Sequence, residues 1–69
     1  MSSINLDKRI KELRKKLKMS QDKLAKKADI PFSTLAKIEG GYTPNPSIET
    51  LIKISDALGV GIDELLGRK

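Results

Sequence analysis

Residues Ser20 to Gly41, SQDKLAKKADIPFSTLAKIEGG, decide how this chain folds. They read as two short helices around a tight turn. Ser20 suits an N-cap, because its hydroxyl can accept a bond from an orphan first-turn amide, and Asp22 behind it suits the positive helix start. Leu24, Ala25 and Ala28 recur at helical spacing, so a helix is expected from Gln21 to Ala28. The turn falls at Asp29 and Ile30. Pro31 suits the first position of the next helix, where its fixed φ is already helical and its missing N–H is not needed. That helix runs to about Glu39, with Leu35 and Ile38 as its buried stripe and Phe32, Ser33, Ala36 and Lys37 outside. Nine residues cannot bury much apolar surface, so this helix must lean on a neighbour.

Working outward, Leu6, Ile10, Leu13 and Leu17 step by four, three and four, which predicts a helix over roughly 6–17. Gly40 and Gly41 stop the helix that begins at Pro31, and Tyr42 to Pro46 (YTPNP) is a proline-punctuated loop. Ser47 caps a fourth helix with Glu49 in its first turn. Ile48, Leu51, Ile52, Ile54 and Leu58 supply its apolar surface, and Gly59 suits a left-handed C-terminal turn. A brief fifth helix spans Ile62 to Leu66. The expectation is an all-α fold of five helices and no strand, as one domain over 1–69. Its core would contain Leu13, Leu17, Leu24, Ala28, Leu35, Ile38, Leu51, Ile52 and Leu58. Ile62, Leu65 and Leu66 exceed what a helix this short can bury within its own domain, so part of them is a candidate contact between two copies.

Two helices joined by a tight turn, the second with a polar and basic face outward, form the geometry of a helix-turn-helix, whose second helix lies in the DNA major groove. The charge agrees. The formal net charge is +5, but residues 1–37 hold 11 Lys/Arg against four acids, while residues 38–69 hold three against five. The basic half contains the candidate reading helix, as phosphate attraction requires. With no cysteine and no histidine, a disulfide framework, the common metal sites and histidine acid/base chemistry are unexpected. The sequence gives no sign of an enzyme, a cofactor, a metal or a small-molecule ligand. No apolar run approaches the roughly 18 residues of a membrane span and no signal peptide is apparent, so a cytoplasmic protein is expected. A basic amphipathic role for residues 6–18 on membranes competes with the domain's need for the same apolar stripe.

Four blocks carry a resemblance: RIKELRKKLKMSQ (9–21), LAKKADIP (24–31), STLAKIEGG (33–41) and PSIETLIKISDALGVGIDELL (46–66). In order and spacing the chain resembles the DNA-binding domain of the phage repressor and Cro proteins, the XRE-type helix-turn-helix family. The resemblance implies a lambda-repressor-like fold and a sequence-specific regulator of bacterial or phage origin. That regulator would be a homodimeric repressor on an operator of double-stranded DNA, nucleoid-associated when bound. It places Phe32, Ser33 and Lys37 against base edges. It places Gln21, Ser20, Thr34, Tyr42 and Thr43, with the amides of the 41–45 loop, near the sugar-phosphate chain, and gives Gln21 a second role as a buttress of the reading helix. Arg14 and Glu39 match a structural ion pair that joins the first helix to the end of the third.

The chain departs from the family pattern in four places. Asp29 stands where glycine is common in the turn, although aspartate tolerates the left-handed region better than most residues. Lys18 replaces a frequent glycine after the first helix. Pro31 replaces a usual Ser/Thr cap, and Phe32 cannot make the bidentate bond of a glutamine. Several residues keep two readings. Phe32 either touches thymine methyls or folds back onto the second helix or the loop. Lys37 either bonds a guanine or serves a phosphate or solvent, and Tyr42 either contacts a phosphate or packs the loop. The competing function is an antitoxin-like or controller protein whose main partner is another protein.

Overall fold

The computed structural model describes residues 6–43 and 46–67; Pro44 and Asn45 of the expected loop lie outside them. The described residues form five helices: α1 (Leu6–Lys16), α2 (Gln21–Ala28), α3 (Phe32–Glu39), α4 (Ile48–Leu58) and α5 (Ile62–Leu65). No strand occurs among them, and none of the helices is long and apolar enough to cross a membrane. α1 packs on α3 and α5, α2 on α3 and α4, and α4 on α5. Arg9 donates its Nη2 to the Glu64 carbonyl at 2.6 Å and so ties α1 to the end of α5.

Caps set the boundaries. Ser20 Oγ accepts from the Lys23 amide at 3.1 Å and Ser47 Oγ from the Thr50 amide at 3.2 Å, each satisfying a donor that the helix itself leaves orphaned. Four helices end through a residue at positive φ: Lys18 (59°), Asp29 (59°), Gly41 (82°) and Gly59 (73°). At each, the next amide reaches back to the last turn: Met19 to the Arg14 carbonyl, Ile30 to Ala25, Tyr42 to Lys37 and Val60 to Ser55. That is the Schellman arrangement. Pro31 differs from the expectation. Its φ of −62° is helical but its ψ of 145° is extended, so it caps α3 instead of beginning it.

The core is continuous across all five helices. Ile10, Leu24, Leu35, Ile38, Ile54 and Leu65 are fully buried at its centre, with Leu6, Leu13, Met19, Ala25, Ala28, Leu51, Ala57 and Leu58 around them. Two expected core residues are not in it. Leu17 is 49% exposed. The left-handed backbone at Lys18 reverses the chain just after α1, so Leu17 falls on the outside of the turn and Met19 tucks inward in its place. Ile52 is 45% exposed. Buried Leu51, Ile54, Ser55 and Leu58 follow the i, i+3, i+4, i+7 pattern of one helix face, and Ile52 falls on its exposed flank, one turn after Ile48. Ser55 is tolerated inside because its hydroxyl donates to the Ile52 carbonyl at 2.9 Å. α5 also buries more than its length suggested: Leu65 is fully buried, and Ile62 and Leu66 pack half-buried on the core.

Candidate nucleic-acid interface

The α2–turn–α3 unit is held by sequence-local chemistry. Asp29 adopts φ 59°, ψ 46°, and its amide reaches the Ala25 and Lys26 carbonyls. The turn therefore closes without glycine. α3 buries Leu35, Ile38 and Glu39 on one side. Phe32, Ser33 and Lys37 are exposed on the other, with Thr34 and Ala36 half-buried at its edges.

The strongest feature of the site lies beneath α3. Glu39, only 2% exposed, is the last residue of that helix. Arg14 donates Nε to Glu39 Oε2 at 2.8 Å and Nη2 to Oε1 at 3.0 Å, a planar two-bond fork. Its remaining nitrogen, Nη1, donates to the Met19 carbonyl at 2.8 Å. Gln21 donates Nε2 to Glu39 Oε1 at 2.9 Å. One carboxylate thus gathers the last turn of α1, the first residue of α2 and the end of α3. A fork fixes angle as well as distance, so the tilt of α3 against α1 and α2 is set here. The Met19 contact also orients the α1–α2 turn, in which Leu17 and Met19 exchange places.

The residues expected at phosphates form no cluster with one another. Ser20 is exposed and its oxygen already serves as the α2 cap. Gln21 is half-buried and bonded to Glu39, with one amide hydrogen and its carbonyl oxygen left over. Thr34 and Thr43 are half-buried. Tyr42 is 81% exposed. Its amide donates to the Lys37 carbonyl at 2.9 Å. Its ring lies against Gly40: a methyl group placed on Gly40 would stand 3.0 Å from Cδ2 and Cε2 of the ring. Phe32 is 50% exposed, so the ring is not folded into the core. The resemblance gave Gln21 a buttressing role but not Glu39 as its partner, and loop packing was one of the two readings of Tyr42 but without Gly40 as its contact. Neither contact leaves a periodicity or spacing signal.

Among the described residues no group of three His, Cys, Asp or Glu could hold a metal ion. The chemistry on offer is that of a surface: hydroxyls, a lysine, an amide and two exposed aromatic rings, Phe32 in the basic half and Tyr42 just after it.

Comparison with known proteins agrees with this geometry. A helix-turn-helix family model matches residues 10–65. The chain is 41% identical over 61 residues to the immunity repressor protein of Bacillus phage phi105, covering 88% of this chain and 42% of that protein. It is 43% identical over 61 residues to the HTH-type transcriptional regulator SinR of Bacillus subtilis, covering 88% and 55%. It is 35% identical over 65 residues to the cryptic phage CTXphi transcriptional repressor RstR of Vibrio cholerae, covering 94% and 57%. The chain spans about half the length of the curated relatives it matches. The four-block resemblance, the five-helix fold and the family match coincide, and the chain belongs to the XRE-type helix-turn-helix family.

Proposed function

We propose that this chain is one DNA-binding domain of a sequence-specific transcriptional repressor. On this reading α3 enters the major groove of a duplex operator, and two copies occupy half-sites about 34 Å apart. The observation that carries the reading is the clamped α3. Its inner face is fully engaged by Leu35, Ile38 and Glu39, so its outer face is held rigid yet free, within the basic half of the molecule. Phe32, Ser33 and Lys37 serve as base contacts. Ser20, Gln21, Thr34, Tyr42 and Thr43 serve the sugar-phosphate chain, and Gln21 keeps one donor hydrogen for that purpose after its bond to Glu39. The relatives named as repressors support a regulatory role, exercised in the cytoplasm on nucleoid or phage DNA.

The competing interaction-protein reading draws on Ile48 and Ile52, exposed four residues apart on α4. In the repressor reading the same pair gives two copies a meeting surface, since α5 has little apolar surface to spare. The test is enrichment of bound sequences from random duplex DNA at fixed salt, followed by a salt titration of the winner. The expected result is a two-fold symmetric motif whose affinity falls steeply with salt as counterions are released. Failure to enrich any sequence, or an affinity indifferent to salt, would refute it.

A further inference from the structure

The chain holds one phenylalanine and one tyrosine and no tryptophan. Neither ring is in the core; both are exposed, and they bracket α3. Phe32 opens the helix and Tyr42 follows its end. Small domains use aromatic rings chiefly to fill cores, because each buries a large apolar area. Among the described residues the hydrophobic core is built from Leu, Ile, Ala and Met side chains, with no aromatic ring.

Positions 32, 36 and 40 follow each other at four-residue spacing, which places them on one slowly winding row of a helix, about 6 Å apart. Phe32 and Ala36 are the first two members. The third, Gly40, has no side chain, but the Tyr42 ring fills the space where one would stand. The ring therefore acts as a borrowed side chain for position 40 and completes the row Phe32–Ala36–Tyr42. Beside it runs a polar row, Ser33 and Lys37, also four residues apart and also exposed.

We propose that the Phe32–Ala36–Tyr42 row reads the C5-methyl groups of thymines in the major groove, while Ser33 and Lys37 address the polar base edges beside them. Among the four bases only thymine offers a methyl group in that groove, so an apolar row has one natural partner there. The row is about 12 Å long, or three to four base pairs at B-DNA rise, so thymines should recur at both ends of each half-site's centre. Tyr42 thereby becomes a reader through its ring instead of a phosphate ligand through its hydroxyl. This inference rests on the reading of α3 as the groove-entering helix.

The experiment takes the duplex enriched by selection and replaces its thymines one at a time with deoxyuridine, which removes only the methyl group. Affinities are measured for the parent chain and for Phe32→Ala, Tyr42→Ala, Tyr42→Phe and Gly40→Ala, with circular dichroism confirming that each is folded. Gly40 has φ −84° and ψ −2°, which alanine adopts freely, so Gly40→Ala displaces the ring at a helical backbone geometry, with its methyl also 3.1 Å from the Ala36 carbonyl oxygen. Each critical methyl should be worth about fourfold in affinity, the equilibrium ratio for burying one methylene-sized group. Phe32→Ala should erase the penalty at one thymine, and Tyr42→Ala and Gly40→Ala should both erase it at another. Tyr42→Phe should retain it, whereas a hydroxyl-to-phosphate contact would make Tyr42→Phe lose affinity on all sequences equally. Tolerance of deoxyuridine at every position by a chain that still binds its duplex specifically would overturn the row and leave the DNA-binding reading intact. Failure to enrich any duplex would overturn that reading, and the row with it.

Discussion

Glu39→Gln is the perturbation that the structure makes most decisive. The substitution keeps shape and volume but turns one acceptor oxygen into a donor. Both oxygens are in use: Oε2 accepts from Arg14 Nε, and Oε1 accepts from Arg14 Nη2 and Gln21 Nε2. Whichever way the new amide turns, a donor faces a donor, and the Arg14 guanidinium loses its counter-charge. The side chains of Arg14 and Glu39 are 11% and 1% exposed, so water does little to rescue either. Breaking such a pair from one side costs about 3 kcal/mol or somewhat more, although the intact pair need contribute little net stability, because both charges were desolvated to form it. Arg14→Met should cost a similar amount, since it strands the carboxylate and frees the Met19 carbonyl. The double variant should cost clearly less than the sum, with a coupling of about 1–3 kcal/mol. Urea denaturation of the four proteins, followed by far-ultraviolet circular dichroism, measures the cycle. A coupling near zero would refute the clamp, and with it the account of how α3 is oriented.

Three further outcomes follow from particular residues. Leu24→Ala should cost about 2–5 kcal/mol because Leu24 is fully buried, while Leu17→Ala and Ile52→Ala should each cost under about 1 kcal/mol; thermal melts of the three separate the true core from the apolar surface. Lys18→Gly should raise stability by about 1 kcal/mol, since lysine holds a left-handed φ of 59° there, and Asp29→Gly should gain less because aspartate tolerates that region. A melting temperature unchanged by Lys18→Gly would contradict the strain argument. Gln21→Ala should lower stability by about 1 kcal/mol through its lost bond to Glu39, and at equal folded concentration should weaken binding to related and unrelated duplexes by the same factor, because a phosphate contact carries no sequence information.

The helices were legible because each carries its own punctuation. Ser20 and Ser47 announce two starts, Gly59 announces one end, and the apolar spacing of α1, α2 and α3 admits a single buried face. α4 was less so. Ile48, Leu51, Ile52, Ile54 and Leu58 are more apolar residues than one face accepts, and only packing against α2 and α5 selects Leu51, Ile54 and Leu58. The exchange of Leu17 for Met19 depends on a left-handed residue at Lys18, which lysine does not advertise. Pro31 fits both the cap and the first helical turn by its φ, and only ψ separates them. In the site, the Arg14–Glu39 pair was foreseen from family resemblance and not from spacing, since 25 residues separate its members. The buttressing role of Gln21 was expected, but not Glu39 as its partner. That pairing depends on how α2 leans on α3, a tertiary fact. The Tyr42 ring over Gly40 is likewise a consequence of the path the chain takes after α3.

The central claim is that the outer face of α3 reads sequence in duplex DNA. Repeating the random-duplex selection with Lys37→Ala beside the parent tests it most directly. Lys37 is exposed in the last turn of α3, outside the buried core, so the variant should fold as the parent does. The account predicts a motif of the same symmetry and half-site spacing with altered base preference at a defined position in each half, worth about 1–3 kcal/mol against the parent's base. Return of the parent's motif unchanged at every position would remove Lys37 from the readers, and the same result with Phe32→Ala and Ser33→Ala as well would contradict the claim.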